Sequence, residues 1–359
     1  MSQINSGKKI LLKGSGSQNL PEILAKYHNQ INSTMQIEFP HEHTKINTML
    51  KYFLGWTDPK GNPTNQPISG KALRPILCIL ACNSAGGGIK QAIPAAIPLE
   101  LIHNFSLIHD DIQDKDEFRH NRPTIWALWG NPKALVAGNN LRVIADLTMK
   151  NLTSLGISKN KCLTLNYILT QACLEMIEGQ YLDIKYEGQT SLGTELYLEM
   201  ISKKTGALIA SAIKIGASLA TENKEKLRAF YQFGKLLGLV FQITDDVLGI
   251  WGNEEKTGKP VGADIIRKKN SLPIIMAVSK TTKINRQKIK DIYNKPSISK
   301  SDLNSILDIM DETKSEKYCM ELAEKYYLEA LSIIGNIPMS NQSRKDIEAI
   351  ALFLTKRQH

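Results

Sequence analysis

Residues 99–114 read LELIHNFSLIHDDIQD, and this stretch decides the fold class. Its apolar side chains Leu101, Phe105, Ile108 and Ile112 recur at intervals of four, three and four residues, which is the spacing of one face of an α-helix. Similar spacing continues along most of the chain and predicts helices over about 159–185, 192–220 and 300–312, among others, whereas the apolar–polar alternation of a β-strand is nowhere convincing. The sequence therefore predicts an all-α protein with one core.

The composition is that of an ordinary globular protein. The chain has 359 residues, of which 42% are hydrophobic and 22% are charged. Apolar runs stay below the ~18 residues of a transmembrane helix. Residues 1–20 are rich in Gly, Ser and Lys, so we expect a flexible arm there and a single domain over 21–359. Five cysteines without a CxxC pair favour reduced thiols and a cytoplasmic protein over disulfides or a zinc site.

Basic residues exceed acidic ones by 45 to 35, which gives a formal net charge of +10. Such a surplus is typical of proteins that bind nucleic acid, a membrane surface or an anionic small molecule. The excess is spread along the chain without a basic tail, which disfavours nucleic acid as a partner. Peripheral contact with an anionic membrane stays open at this point.

The end of the helix predicted around residue 110 is unusually acidic. Asp110, Asp111, Asp114 and Asp116 fall close together, and Asp110 and Asp114 lie one helical turn apart on one face. Carboxylates this close repel one another, and the helix C-terminus increases the repulsion. A divalent cation with oxygen ligands would relieve it, and Mg²⁺ typically takes one or two carboxylates together with substrate phosphates. The alternative interpretation is a solvated acidic helix end.

A second acidic pair, Asp245 and Asp246, lies in FQITDDVLG at 241–249 and also follows an apolar helical run. Two helices that carry aspartates could face each other and hold a metal cluster between them. Basic residues accompany both motifs, for example in GKALRP at 70–75 and SKKTGAL at 202–208. Carboxylates, divalent metals and Lys or Arg side chains together indicate diphosphate chemistry.

Several motifs, taken together and in order, resemble the polyprenyl synthetase family of trans-isoprenyl diphosphate synthases. They are GKxxRP at 70–75, LELIHNFSLIHDDIQD at 99–114, RxxRPT at 119–124, GQxLD at 179–183, KT at 204–205, FQxxDD at 241–246 and TGKPVGADIIRKKNSLP at 257–273. The resemblance implies the isoprenoid synthase type I fold, a single-domain barrel of long, mostly antiparallel helices around a deep central pocket. It also implies a homodimer.

The resemblance further implies roles for individual residues. Three Mg²⁺ ions, for which Mn²⁺ could substitute, would be held by Asp110, Asp114 and Asp245, with Asp111 and Asp246 as ligands or their supports. The allylic diphosphate would contact Arg119, Lys204 and Lys259. Isopentenyl diphosphate would contact Lys71, Arg74 and His103. His120 and Lys269 would add diphosphate contacts, and Thr205, Gln180 and Gln242 would border the reacting carbons.

The implied reaction is a Mg²⁺-dependent head-to-tail condensation of isopentenyl diphosphate with an allylic diphosphate. The allylic C–O bond ionises, the double bond of isopentenyl diphosphate attacks the allylic cation, and a proton is lost. Phe105 stands five residues before Asp110, and DDIQD carries no insertion, a pattern that resembles short-chain synthases of the archaeal geranylgeranyl type. We expect a C20 product, with C15 second, and Phe105 at the pocket floor; the alternative is that Phe105 is only core.

Three positions depart from the family's usual pattern. His120 stands where a second arginine is usual, Asn139 stands where aspartate often follows glycine, and Gly249 replaces the last aspartate of the second motif. Two rival activities stay open: a class I terpene cyclase on the same fold, and a non-catalytic subunit of a heteromeric synthase. The motif residues for isopentenyl diphosphate argue against the cyclase, and the intact aspartates argue against the subunit.

Overall fold

The computed structural model describes residues 20–64, 70, 72–189, 192–252 and 260–356. Its helices in chain order are α1 (Leu20–Glu38), α2 (Lys45–Phe53), α3 (Leu73–Ser84), α4 (Ile89–Gln113), α5 (Ile125–Trp129), α6 (Asn131–Lys150), α7 (Lys159–Tyr186), α8 (Thr194–Ile201), α9 (Ala207–Ala220), α10 (Lys224–Trp251), α11 (Ala263–Ile266), α12 (Leu272–Lys280), α13 (Lys283–Tyr293), α14 (Lys300–Glu312), α15 (Ser315–Gly335) and α16 (Asn341–Thr355). The predicted all-α class is confirmed. Residues 1–19 of the predicted arm lie outside the described residues.

The central helix α9 packs against α3, α4 and α10, and α3 also packs against α4. Buried residues lie all around α4, including Ala95, Leu99 and Ile102, because this helix is covered on every side. Its lysines and arginines are few, and its acidic residues are concentrated at its carboxyl end. The first aspartate motif therefore lies at the end of a helix that is packed on all sides.

The buried apolar side chains form two clusters rather than the one core that we expected. The larger cluster includes residues of α1 to α7, α9, α10, the end of α15 and α16, and the smaller one unites α8, the end of α10, α11 to α14 and the first half of α15. The 28-residue helix α10 contributes Leu237 to the first cluster and Ile250 to the second. A helix of this length spans about 42 Å, which is longer than one small core.

Two irregular elements interrupt the helices near the predicted motifs. A short hairpin, β1 (Phe118–Arg119) and β2 (Arg122–Pro123), follows α4 and is the one sheet within the described ranges. A π-helical turn over Ser202–Gly206 separates α8 from α9, where we expected one continuous helix over 192–220. Strands of two residues are too short to show alternation, so no apolar–polar pattern predicts the hairpin. Within the described residues, none of the helices combines the length and the hydrophobicity of a membrane-spanning segment.

Candidate active site

A cleft of about 1050 Å³ lies between the end of α4, α7, the π-helical turn and α10. It brings together most of the side chains that the sequence singled out. The predicted residues that line it are Arg74, His103, Phe105, Asp110, Asp114, Arg119, His120, Gln180, Lys204, Thr205, Gln242, Asp245 and Lys269. Lys71 and Lys259 lie outside the described residues. Asp111 and Asp246 do not line this cleft.

The two outward aspartates of the first motif face lysines across the cleft. Burial and the charge of Asp114 raise the pKa of Asp110, while Lys204 and Arg119 oppose the shift. The Nζ of Lys269 lies 3.8 Å from Oδ2 of Asp114. This end of α4 therefore presents two carboxylates, one turn apart, to a space that also holds cationic groups.

Asp111 points away from the cleft and anchors Arg119. Its Oδ1 accepts hydrogen bonds from Nε of Arg119 at 2.8 Å and from Nη2 at 2.7 Å. The side chain is buried, and burial raises the pKa of Asp111 to about 6 although Arg119 lowers it. The ion pair fixes the guanidinium that lines the cleft, whereas Asp111, expected as a metal ligand or a support of one, does not line the cleft itself.

The second motif divides in the same way, because Asp245 is exposed in the cleft and Asp246 is buried. Asp246 accepts hydrogen bonds from the Tyr197 hydroxyl, from the Leu272 amide at 2.9 Å and from Nε2 of Gln242 at 3.0 Å. Burial nevertheless raises the pKa of Asp246 to about 7. With both oxygens engaged in this way, Asp246 orients neighbouring groups.

A hydrogen-bonded chain continues from Asp246 into the cleft. Gln242 donates to Asp246 through Nε2, and its Oε1 accepts a hydrogen bond of 2.7 Å from Oγ1 of Thr205. These contacts fix which end of the Gln242 amide faces Thr205. The expected pair of residues beside the reacting carbons is thus held in one orientation by a buried carboxylate.

Lys204 and Thr205 stand on the π-helical turn, a distortion that is often found at functional sites. A Cβ at Gly179 of α7 would lie only 2.2 Å from the backbone nitrogen of Lys204, so only glycine permits this contact. Lys204 forms an ion pair with Asp183. Burial lowers the pKa of Lys204, but Asp183 and Asp110 outweigh it and raise the value overall. Lys204 therefore stays cationic in the cleft.

Comparison with known proteins adds to this geometry. The family model described as Polyprenyl synthetase matches residues 62–310, more than half of the chain. The chain belongs to the polyprenyl synthetase family. It is 31% identical over 339 residues to a (2E,6E)-farnesyl diphosphate synthase of Mycobacterium tuberculosis, covering 94% of this chain and 93% of that protein. It is 36% identical over 272 residues to a geranylgeranyl diphosphate synthase of Methanosarcina mazei, covering 75% and 81%.

The fold comparison agrees with the family. A crystal structure of a polyprenyl synthetase from Streptomyces coelicolor A3(2) superposes with a TM-score of 0.86 at 29% identity, covering 94% of this chain and 99% of that one. The predicted family and its all-α isoprenoid synthase fold are therefore confirmed, and the protein is a prenyltransferase.

Among the departures from the family pattern, Gly249 has a structural counterpart. A Cβ at Gly249 would lie 2.1 Å from Oδ2 of Asp264, so the carboxylate of Asp264 occupies the space beside it. Asp264 lies in the first turn of α11 and lines a smaller cavity of about 240 Å³ together with Asp245 and Asp246. The carboxylate that α10 lacks at Gly249 is thus replaced in space by the carboxylate of Asp264. Asn139 is exposed on α6 and does not line the main cleft.

Several residues of this prenyltransferase's site were not among the sequence-based candidates. Asp183 forms an ion pair with Lys204 and belongs to the GQxLD motif. From that motif, however, we assigned a role to Gln180 alone. Arg267 forms two contacts with Asp116, Nη2 to Oδ1 at 3.0 Å and Nη1 to Oδ2 at 3.2 Å. Tyr197 had no motif of its own, because its role depends on burial against Asp246.

The side chains that line the cleft include Phe105, which is 6% exposed and contacts the His109 ring edge-to-face at 4.8 Å between centroids. Met176 and Ile177 of α7 line the same cleft. Phe105 is therefore both a core residue and a lining residue, so the two interpretations of its role are compatible in space.

The donor set fits Mg²⁺ that arrives with a diphosphate. Among the described residues, no three His, Cys, Asp or Glu side chains converge to enclose an ion. Mg²⁺ usually binds one or two carboxylates and completes its shell with waters and phosphate oxygens. Asp110 on α4, Asp114 directly after α4 and Asp245 on α10 provide such carboxylates in the one cleft.

Proposed function

We propose that this prenyltransferase catalyses the Mg²⁺-dependent head-to-tail condensation of isopentenyl diphosphate with an allylic diphosphate. The observation that carries the proposal is the shared cleft, in which both aspartate motifs meet Arg119, Lys204 and Lys269. Anionic diphosphates need such cations, and hard divalent cations need such carboxylates. The names of the relatives support the same substrate class.

In this proposal the residues divide into binding and positioning groups. Asp110, Asp114 and Asp245 hold Mg²⁺, while Asp111 and Asp246 keep Arg119 and Gln242 in place. Arg119, Lys204 and Lys259 hold the allylic diphosphate, with Lys269 beside them. Lys71, Arg74 and His103 hold isopentenyl diphosphate, and Gln180, Thr205 and Gln242 border the reacting carbons.

These residues favour ionisation of the allylic C–O bond. Arg119 and Lys204 are held by Asp111 and Asp183 before substrate binds, so little reorganisation is needed when charge develops on the leaving diphosphate. Bound Mg²⁺ supplies further neutralisation of that leaving group. Isopentenyl diphosphate then attacks the allylic cation through its double bond, and the departed diphosphate accepts the proton that is lost.

A second cavity of about 310 Å³ beside the main cleft supports a site for isopentenyl diphosphate. Arg74, His103 and Arg119 line both spaces. Burial, Arg74 and Arg119 lower the pKa of His103 well below its ordinary value, so His103 is a neutral hydrogen-bonding partner. A cyclase that uses one allylic diphosphate has no need of this additional cationic cavity.

We propose a C20 product, with C15 as the second choice. Phe105 and Met176 are buried side chains that line the cleft, and Phe105 precedes Asp110 by five residues on α4, which supports a limited chain length. One helical turn of about 5.4 Å is close to the length of one isoprene unit, so the position of a bulky side chain on α4 sets the product in whole units.

We also propose that the protein is a homodimer. The helices α6 and α7 carry many large apolar side chains that are exposed in the single chain, an arrangement that is costly in water unless it is covered. They are Leu135, Val136, Val143 and Leu147 on α6, and Leu163, Tyr167 and Leu174 on α7, whereas the exposed Ile177, Tyr181 and Ile184 of α7 line the cleft.

One assay separates the proposal from its rivals. The protein is incubated with Mg²⁺, isopentenyl diphosphate and dimethylallyl, geranyl or farnesyl diphosphate, and the products are analysed by mass spectrometry. Linear prenyl diphosphates that are longer than the primer support the synthase. Hydrocarbons formed from the allylic substrate alone would indicate a cyclase, and no turnover would indicate a non-catalytic subunit.

A further inference from the structure

The β1–β2 hairpin places a second arginine beside Arg119. His120 and Asn121 connect the strands, and both have left-handed backbones, with φ of 51° and 58°. Two such residues form the type I′ turn that joins antiparallel strands most tightly. Arg119 is paired directly with Arg122 across the ladder. Side chains of directly paired residues stand on the same face of a sheet, so Arg122 accompanies Arg119 although three positions separate them.

Arg122 lines the cavity of about 310 Å³ that also contains Arg74 and His103. Its guanidinium carbon lies 4.0 Å from the centroid of the Tyr52 ring, and its Nη2 donates a hydrogen bond of 2.9 Å to the Thr57 carbonyl. A guanidinium has five N–H donors in a rigid fork, so this bond leaves others for an anion. The side chain is thus held in place at the wall of the cavity.

The charge of Arg122 is not neutralised in the way that the charge of Arg119 is. Arg119 forms an ion pair with Asp111, whereas no carboxylate of the described residues forms an ion pair with Arg122. A half-buried guanidinium without an ion-pair partner among the described carboxylates, beside a concave space that Arg74 and Arg119 line together with Glu100, is suited to a multiply charged anion.

His120 is a poor substitute for a cation at this place. Partial burial and the adjacent Arg119 lower the pKa of His120, so the imidazole is neutral at pH 7. A neutral imidazole forms weaker hydrogen bonds to a diphosphate than a guanidinium does. His120 also occupies the turn itself, where its left-handed backbone helps to reverse the chain.

We propose that Arg122 binds the diphosphate group of isopentenyl diphosphate and provides the cationic contact that His120 does not. This inference rests on the proposed function, because it assigns Arg122 to the cavity that would receive that substrate. Arg122 is then a substrate-binding residue for the non-allylic diphosphate, together with Arg74. The allylic diphosphate keeps its own contacts at Arg119 and Lys204.

The test compares Arg122→Gln with a matched change, Arg228→Gln, at an exposed position of α10. Loss of charge-assisted hydrogen bonds in Arg122→Gln is expected to raise the KM for isopentenyl diphosphate by about tenfold or more. The KM for the allylic diphosphate should stay within about twofold, and Arg228→Gln should leave both values within about twofold of the wild type.

A second variant separates binding from a structural role, because Arg122 also contacts Tyr52 and Thr57. Adding His120→Arg to Arg122→Gln should recover most of the lost affinity for isopentenyl diphosphate. An unchanged KM in Arg122→Gln, an equal rise of both KM values, or no recovery with His120→Arg would overturn the inference. If the wild type does not condense the substrates at all, the proposed function fails and this inference fails with it.

Discussion

At the level of single residues, each aspartate pair has one side chain that lines the cleft and one that is buried. Asp110 and Asp245 line the cleft, while their neighbours Asp111 and Asp246 bind Arg119 and Gln242. Successive residues of a helix point about 100° apart, and only Asp110 and Asp245 of the two pairs line the main cleft. The sequence predicted the shared face of Asp110 and Asp114, but the partners of the buried aspartates depend on packing that no local pattern records.

Phe105→Ala tests the residue that we propose to limit chain length. Removal of the ring from the lining of the cleft should shift the main product to a chain longer than that of the wild type. The conservative change Phe105→Leu should keep the wild-type product. Product chromatography measures the outcome, and thermal unfolding shows whether the variants are folded, since deleting a buried phenylalanine costs about 3–5 kcal/mol. An unchanged product in a folded Phe105→Ala protein would mean that Phe105 is only core.

At the scale of elements, close contacts between segments shape the site more than the helices themselves do. The sequence predicted most helices correctly, for example 300–312 and 159–185, because apolar residues recur regularly there. The π-helical turn was missed because its cause lies in another helix, at Gly179 of α7. Helix α13 was missed because its residues are mainly polar, and Ile284 at its start is 81% exposed.

Gly249→Ala tests whether α10 needs a glycine beside Asp264. The new methyl group would lie 2.1 Å from Oδ2 of Asp264, so the carboxylate must move. We expect the free energy of unfolding to fall by about 1–3 kcal/mol, as for other overpacked sites. Gly335→Ala is the matched control, because nothing lies within 4 Å of its new Cβ. Chemical denaturation measures both variants, and equal stabilities for the two would contradict the close contact.

At the scale of the whole molecule, the exposed apolar faces of α6 and α7 are the clearest feature beyond the cleft. Helical spacing alone did not separate these faces from core, since both contain leucine, isoleucine and valine. The net charge of +10 indicated an anionic partner, and the cleft is suited to two small diphosphates as such partners. The site itself is rich in aspartates, so most of the surplus charge belongs to the general surface.

Leu147→Glu tests the proposed dimer face. Leu147 is 54% exposed on α6, and a charge there should oppose burial against a second copy. We expect the variant to shift towards the monomer in light scattering at micromolar concentration. Leu328→Glu is the control, because Leu328 is 56% exposed but belongs to α15 and not to α6 or α7. A dimer that is equally stable in both variants would exclude this face.

In the proposed reaction the two aspartate motifs act together on the diphosphate substrates. The steady-state rate of condensation with saturating Mg²⁺, measured for the wild type, Asp110→Asn and Asp245→Asn, tests this cooperation. We predict that the wild type forms longer prenyl diphosphates and that each substitution lowers kcat by about a hundredfold or more, as expected when stabilisation of the leaving group is lost. Rates that match the wild type in both variants, or wild-type turnover that persists when Mg²⁺ is chelated, would contradict the account.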